Sequence, residues 1–445
     1  MNHQTTHDAR RDPCDTSHDD PRDDPHDDLR DISRDVSRDT SPGDPRHVHR
    51  HERRFFIRSV GAAVALAPWA SLGFAAAGAP GGPRLVVVIL RGGLDGLAAV
   101  PAVGDPSFAP ARGPLAQFGA DPLPLAAPFA LHPHLAQLHA MYGRGEMLVV
   151  HATGLPYRER SHFDAQQVLE SGGTRPYELD TGWLGRALTA AGARGIAINT
   201  AVPLLLRGGT AVDTWAPSVL PDPSPDLVAR LEAMYARRDP GLAAALARAR
   251  GLRSDGAMAT AMDGGTAGAR GAAQQVSALA RKAGEFLALP DGPMAAVLEI
   301  GGWDSHANQA APAGGLSNPL RALDGGLAAL RDALVAGGAW PRTAVVVATE
   351  FGREVAVNGT LGTDHGSGGA AFVLGGAVAG GRVLADWPGL APRDRFEGRD
   401  LRITTDLRAV FKGVLADHLR VPRAALNRDV FPGADGLRPL ALLRG

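Results

Sequence analysis

The chain has 445 residues and a mass of 46.2 kDa, with 46 basic side chains against 47 acidic ones, so its overall charge gives no case for a nucleic-acid partner. Hydrophobic residues, at 44%, suffice for a sizeable core, while Gly and Pro together make about a fifth of the chain, too little for a wholly disordered one. The single cysteine, Cys14, excludes an intrachain disulfide, a thiolate zinc site and an iron–sulfur cluster.

Residues 1–50 hold 13 Asp, 8 Arg and 6 His in a stuttering Asp-Pro-Arg-Asp pattern with hardly any large apolar side chain. Such a segment cannot bury a core and reads as a disordered tail. It carries a net charge of −5; residues 51–77 carry +2, and the remaining body is mildly basic at +2. In residues 51–77, Arg53-Arg54-Phe55-Phe56-Ile57-Arg58 precedes an Ala/Gly-rich apolar stretch and then Ala75-Ala76-Ala77, the order of a signal peptide with a small-residue cleavage site. The segment resembles a twin-arginine export signal, although Glu52 stands where Ser or Thr is usual. That resemblance implies passage through the twin-arginine translocase and a periplasmic or extracellular protein. The apolar stretch is broken by Pro68 and is too Ala/Gly-rich for a stable membrane span of about 20 residues, and no second long apolar run follows it. Signals seldom start fifty residues into a chain, so the tail is read as an artefact of start-site choice, with Val48 as the alternative start. The competing reading of the tail is a His/Asp metal-loading segment.

From residue 84 onward, short apolar runs alternate with helical stretches, which predicts an α/β fold with a largely parallel central sheet in a single domain over residues 84–433. Leu85–Leu90 is a continuous apolar run and reads as a buried central strand. Further strands are expected at 147–150, 196–200, 295–300, 343–349 and 370–374, with helices at about 161–171, 184–191, 225–250, 271–288, 319–336 and 404–419. The Pro-rich piece 215–224 and the Gly/Ala-rich piece 254–272 read as loops.

Ligands of open parallel sheets bind beyond the carboxyl ends of the strands. Asp95 follows the first strand, Asp304 and His306 follow the strand at 295–300, Glu350 follows that at 343–349, and Asp364-His365 stands just before 370. Singly, each has a plain explanation: Asp95 ends a turn, and Glu350 pairs with Arg353. Together, carboxylates and imidazoles on four edges of one sheet point to a shared divalent cation, with Zn, Ca, Mg and Mn all open. A second group is Arg158-Glu159-Arg160-Ser161 ahead of a helical stretch. Ser161 is either a plain N-cap or a nucleophile at a helix N-terminus, with Arg158 and Arg160 attracting an anion. His132, His134 and His139 lack zinc-helix spacing and read as surface or packing residues, and His151 as a core or supporting residue.

The segments Leu90-Arg-Gly-Gly-Leu-Asp95-Gly, Tyr157-Arg-Glu-Arg-Ser-His-Phe-Asp-Ala-Gln166, Gly301-Gly-Trp-Asp-Ser-His306, Thr349-Glu-Phe-Gly-Arg353 and Gly362-Thr-Asp-His-Gly366 resemble the bacterial domain-of-unknown-function family 1501. That family is similar to the alkaline phosphatase and sulfatase superfamily. The resemblance implies an alkaline-phosphatase-like α/β/α sandwich with a metal site at the carboxyl edge. It assigns metal-binding places to Asp95, Asp304 with His306, and Asp364-His365, and the nucleophile's place to Ser161. Many superfamily members carry Asp-His where this chain has Glu350-Phe351, so a second cation would have one ligand fewer. No cysteine stands at 161, which excludes a cysteine-derived formylglycine nucleophile. The expected function is an exported metal-dependent hydrolase of phosphate or sulfate esters, acting on an anionic small molecule or polymer. The alternatives are a non-catalytic binding or assembly protein on the same fold and a carbohydrate-binding envelope module.

Overall fold

The structure is a computed structural model that describes residues 81–217, 223–252, 269–310 and 314–444, all within the compact unit Ser71–Gly445. The Asp/Arg/His-rich tail and the signal-like segment lie outside the described residues. Strand β1 (Arg84–Leu90) has every residue buried. Val86, Val88 and Leu90 enter one hydrophobic core and Leu85, Val87 and Ile89 another, the two-residue alternation of a strand covered on both faces.

Eight further strands complete its sheet: β4 (Met147–Gly154), β5 (Gly195–Ala197), β6 (Val212–Thr214), β7 (Ala295–Ile300), β8 (Thr343–Thr349), β9 (Gly369–Leu374), β10 (Arg382–Leu384) and β11 (Thr405–Asp406). A separate short hairpin joins β2 (Leu123–Pro124) and β3 (Ala130–Leu131). The large sheet runs β10-β4-β9-β8-β1-β7-β5-β6, with β11 also paired to β4. Every pairing in it is parallel except those of β9 with β4 and β8. The reversal of β9 matters for function, because it brings the residues that precede this strand to the edge where the parallel strands end.

The helices of the described residues include α1 (Gly96–Ala99), α2 (Phe108–Arg112), α3 (Ala136–Gly143), α4 (His162–Ser171), α5 (Trp183–Ala191), α6 (Pro225–Arg238), α7 (Pro240–Leu252), α8 (Ala269–Ala288), α9 (Ser317–Ala336) and α10 (Leu407–Asp417). Leu138 of α3, Phe286 of α8 and Leu327 of α9 pack on one sheet face. Val168 of α4, Trp183 of α5 and Phe411 of α10 pack on the other. The chain is therefore an α/β/α sandwich, held by apolar side chains on both faces of the sheet.

The helix expected over 225–250 is two helices, because Pro240 drives its predecessor out of helical geometry: Asp239 has φ −151° and ψ 92°. Strands β6, β10 and β11 span only two or three residues, too short to register as a periodicity. Helix α8 starts inside the piece expected to be a loop, at Ala269, while residues 253–268 and 218–222 lie outside the described residues.

Candidate metal centre

The ends of β1, β7 and β8 lie in register, with Leu90 opposite both Ile300 and Thr349. The segments that follow these strands therefore leave the sheet side by side. The turn after β1 lies directly against the segment after β7: a Cβ on Gly92, at φ +120°, would stand 2.7 Å from the backbone nitrogen of Asp304. Only glycine permits that approach at that φ.

Four side chains converge there. His162 Nε2 lies 3.0 Å from His365 Nε2 and 3.5 Å from Asp304 Oδ1. His306 Nε2 lies 3.0 Å from each of the same two atoms, which are themselves 3.3 Å apart. His162, Asp304 and His365 offer donor atoms that all lie within 4.8 Å of one another. Asp304, His306 and Asp364 are close to half exposed, so a solute reaches this cluster from solvent.

The other nitrogen of each imidazole has an acceptor. His162 Nδ1 is 2.8 Å from Glu350 Oε1, His306 Nδ1 is 3.1 Å from Asp364 Oδ1, and His365 Nδ1 is 2.9 Å from the carbonyl of Arg160. A carbonyl only accepts, so His365 Nδ1 carries the proton and its Nε2 presents a lone pair to the centre. The hydrogen bond to Glu350 raises the His162 pKa. Burial, with the charges of His162 and Arg353, lowers that of His365. His162 Nε2 and His306 Nε2 both face His365 Nε2 at 3.0 Å.

Arg353 is fully buried and donates to the carbonyls of Gly93 (2.8 Å), Thr363 (3.0 Å) and Trp303 (3.1 Å), as well as to Gly92 O and Asp304 Oδ1. Although burial works against ionisation, this guanidinium and the neighbouring imidazoles hold the Asp304 carboxyl down to about 2. Asp304 is consequently an anion at neutral pH. The plain pairing of Glu350 with Arg353 is not made; Glu350 instead accepts from His162, Gln166 and the backbone nitrogen of Gly92. The Phe351 ring lies beneath two imidazoles, with centroids 4.7 Å from His162 and 4.9 Å from His365.

Among the residues singled out in the sequence, Asp304, His306 and His365 point ring nitrogens or a carboxylate oxygen at one another, and Glu350 and Asp364 stand behind two of the imidazoles. Asp95 does not join them. It is 1% exposed, its Oδ1 caps α1 through Leu97 N and Ala98 N, and its Oδ2 accepts from Arg112 and Gln309. Those four donors engage its lone pairs. Ser161 is the N-cap of α4 and makes no side-chain capping bond. Arg158 reaches the Leu155 carbonyl and lies over the Phe396 ring, while Arg160 pairs with Glu397 and Asp400. Both guanidiniums are thus spent on internal partners. The sequence signals His162 only by its place directly after Ser161, as an imidazole at the first position of the helix that follows β4. His151 is buried between Phe129 and Trp387, with burial lowering its pKa to about 4.

Residues 145–428 match the family described as "Protein of unknown function (DUF1501)". No curated protein matches the sequence. Among solved structures, the chain is similar to a 2-O GAG sulfatase at 11% identity, with 80% of this chain and 74% of that one covered and a TM-score of 0.40. It is similar to the phosphonate monoester hydrolase of Agrobacterium radiobacter at 14% identity, over 76% of this chain and 74% of that one, with a TM-score of 0.35. Murine ectonucleotide pyrophosphatase/phosphodiesterase 5 matches at 12% identity with a TM-score of 0.30, and the alignment spans 61% of this chain and 57% of that one. No helix among the described residues is long and apolar enough to cross a membrane.

Proposed function

The chain belongs to the DUF1501 family, and from that premise we propose that it is a metal-dependent hydrolase of phosphate or sulfate esters that is exported by the twin-arginine route. The observation that carries the metal centre is the common arrangement of three imidazoles. Each has Nδ1 on an acceptor and Nε2 turned toward Asp304 Oδ1, at separations of 3.0–3.5 Å. Bonds of about 2.0–2.2 Å at tetrahedral angles set neighbouring donor atoms roughly 3.3–3.6 Å apart, which the separations of Asp304 Oδ1 from His365 Nε2 (3.3 Å) and His162 Nε2 (3.5 Å) match, and the donor atoms of these three residues lie within 4.8 Å of one another.

In this reading His162, His306, His365 and Asp304 hold the cation, and Glu350 and Asp364 orient two of its imidazoles from behind. The sequence pattern alone predicts Glu350 and Asp364 as direct ligands. Three imidazoles with one carboxylate favour zinc or a similar transition metal over calcium or magnesium, which take oxygen donors. When bound, such a cation polarises the ester oxygen and lowers the pKa of water or a hydroxyl beside it. Ser161 stands next to His162 at the start of α4 with its side chain not used as a cap, and is the proposed nucleophile. Arg160 acts through its carbonyl, which fixes the His365 tautomer.

A second reading, a non-catalytic binding or assembly protein retaining at most a structural cation, is favoured by one observation: Arg158 and Arg160, the cations expected to receive an anion, have internal partners. Elemental analysis of the purified protein separates the readings when combined with turnover. A bound transition metal that is lost in Asp304→Ala, together with metal-dependent hydrolysis of an aryl phosphate or sulfate, is the expected result. Metal without turnover of either ester supports the binding reading, and absence of metal even after incubation with excess Zn²⁺ overturns the hydrolase reading.

A further inference from the structure

Behind the cluster, a buried chain of polar side chains links two of the segments that carry its ligands. Gln309, 3% exposed, donates from Nε2 to Asp95 Oδ2 at 2.5 Å. Its Oε1 accepts from Ser305 Oγ and Thr363 Oγ1, each at 2.7 Å. Ser305 stands between Asp304 and His306, and Thr363 directly precedes Asp364-His365. Both hydroxyl residues are buried, Thr363 completely. The backbone nitrogen of Gln309 also donates to Leu361 O at 2.9 Å.

The orientation of this amide is dictated from one end. Asp95 already caps α1 and pairs with Arg112, which is itself buried and donates to Val355 O at 3.0 Å. A carboxylate only accepts, so the amide nitrogen must face Asp95 and the amide oxygen must face the two hydroxyls. Rotating the amide by half a turn would place its oxygen against the Asp95 carboxylate, two acceptors with no proton between them. In a buried setting each unsatisfied group of this kind is costly.

We propose that Gln309, locked by the Asp95–Arg112 pair, is a positioning residue that sets the spacing between the Asp304/His306 segment and the Asp364/His365 segment, and so tunes the affinity of the cluster for a cation. The proposal rests on the metal-centre reading above. It gives Asp95, which follows the first strand and contributes no donor atom, a role two hydrogen bonds behind the ligands.

The test uses the full chain loaded with Co²⁺ alone, reading affinity by competition with a chromophoric chelator and coordination by visible absorption. Gln309→Met keeps the side-chain length while removing both amide functions. It is expected to weaken Co²⁺ binding by roughly 10- to 100-fold, as loss of an outer contact does in other metal sites, and to alter the visible band. Ser305→Ala and Thr363→Val each remove one hydroxyl; each should weaken binding less, and neither should weaken it further when added to Gln309→Met. Wild-type-like affinity and absorption in Gln309→Met overturn the proposal. Should that variant fail to fold, unchanged binding in both hydroxyl variants overturns it equally. A wild type that binds neither Co²⁺ nor Zn²⁺ is a different result: it removes the metal centre itself, and the positioning role falls with it.

Discussion

A carboxylate surrounded by donors serves its neighbours before any external ligand. Glu350, 1% exposed, takes hydrogen bonds at Oε1 from Gly92 N, His162 and Gln166, and these hold its pKa down although burial pushes the other way. Asp304 is of the same charge but half exposed, and one of its oxygens lies among three imidazoles. Burial also defines His151. Its Nε2 donates to Val100 O at 2.9 Å and its Nδ1 accepts from Ala152 N at 2.7 Å, so the neutral ring is satisfied and a second proton has no acceptor. Burial lowers its pKa from 6.5 to about 4. In that interval the unfolded chain binds the proton and the native state does not, so this contribution is complete above about pH 6.5 and is lost as pH falls toward 4. The shift corresponds to about 3 kcal/mol, of which roughly 2 is gone by pH 5. Denaturant midpoints measured at pH 7.5 and 5 should show the wild type losing stability on acidification, and His151→Asn, whatever its own starting stability, losing less.

At the scale of elements, the start of α4 decides how the hydroxyl and the imidazole beside it are used. Ser161 is extended, at φ −86° and ψ 124°, as an N-cap should be, yet its side chain does not cap; His162 takes the first helical position and turns into the cluster. A capping serine typically contributes about 1 kcal/mol, so Ser161→Ala should cost clearly less than that here. If Ser161 is the nucleophile, the same substitution should lower turnover of an aryl phosphate or sulfate by orders of magnitude, with thermal unfolding nearly unchanged. A variant as active as the wild type would remove Ser161 from the chemistry. The reversed strand β9 has an equal share in the site. Had it run parallel to its neighbours, Asp364 and His365 would leave from the opposite edge of the sheet, away from Asp304.

For the whole molecule, the sheet places the segments that carry the His/Asp cluster and the leader is read as setting the compartment. The proposed organisation is a tail over residues 1–50, of which 1–47 are dispensable, a signal peptide over 51–77 and one alkaline-phosphatase-like domain over 84–433. A twin-arginine route fits a protein that acquires a metal and folds before export, and this chain's lone cysteine gives it no disulfide to form outside the cell. Replacing Arg53 and Arg54 together by Lys should hold the unprocessed protein in the cytoplasm, as read by fractionation and immunoblotting. Mature protein outside the cytoplasm in that variant would remove the export claim.

The alternation of apolar runs such as Leu85–Leu90 and Thr343–Thr349 with amphipathic helical stretches determined the α/β class and the parallel character of the sheet by itself, because burial on both faces leaves a pattern that depends on nearest neighbours along the chain. The same pattern located Asp304, His306, Glu350, Asp364 and His365 at strand ends. Which of them face one another was not legible there. Asp95 and Asp304 look alike in sequence, each an aspartate in a glycine-rich turn after a strand, and only the approach of Arg112 and Gln309 from distant segments engages the first and leaves the second open to the imidazoles. The roles of His162 and Gln309 likewise depend on partners 188 and 214 residues away. Hydrogen-bond donors compete in space for a limited number of lone pairs, and the order of residues along a chain does not record that competition.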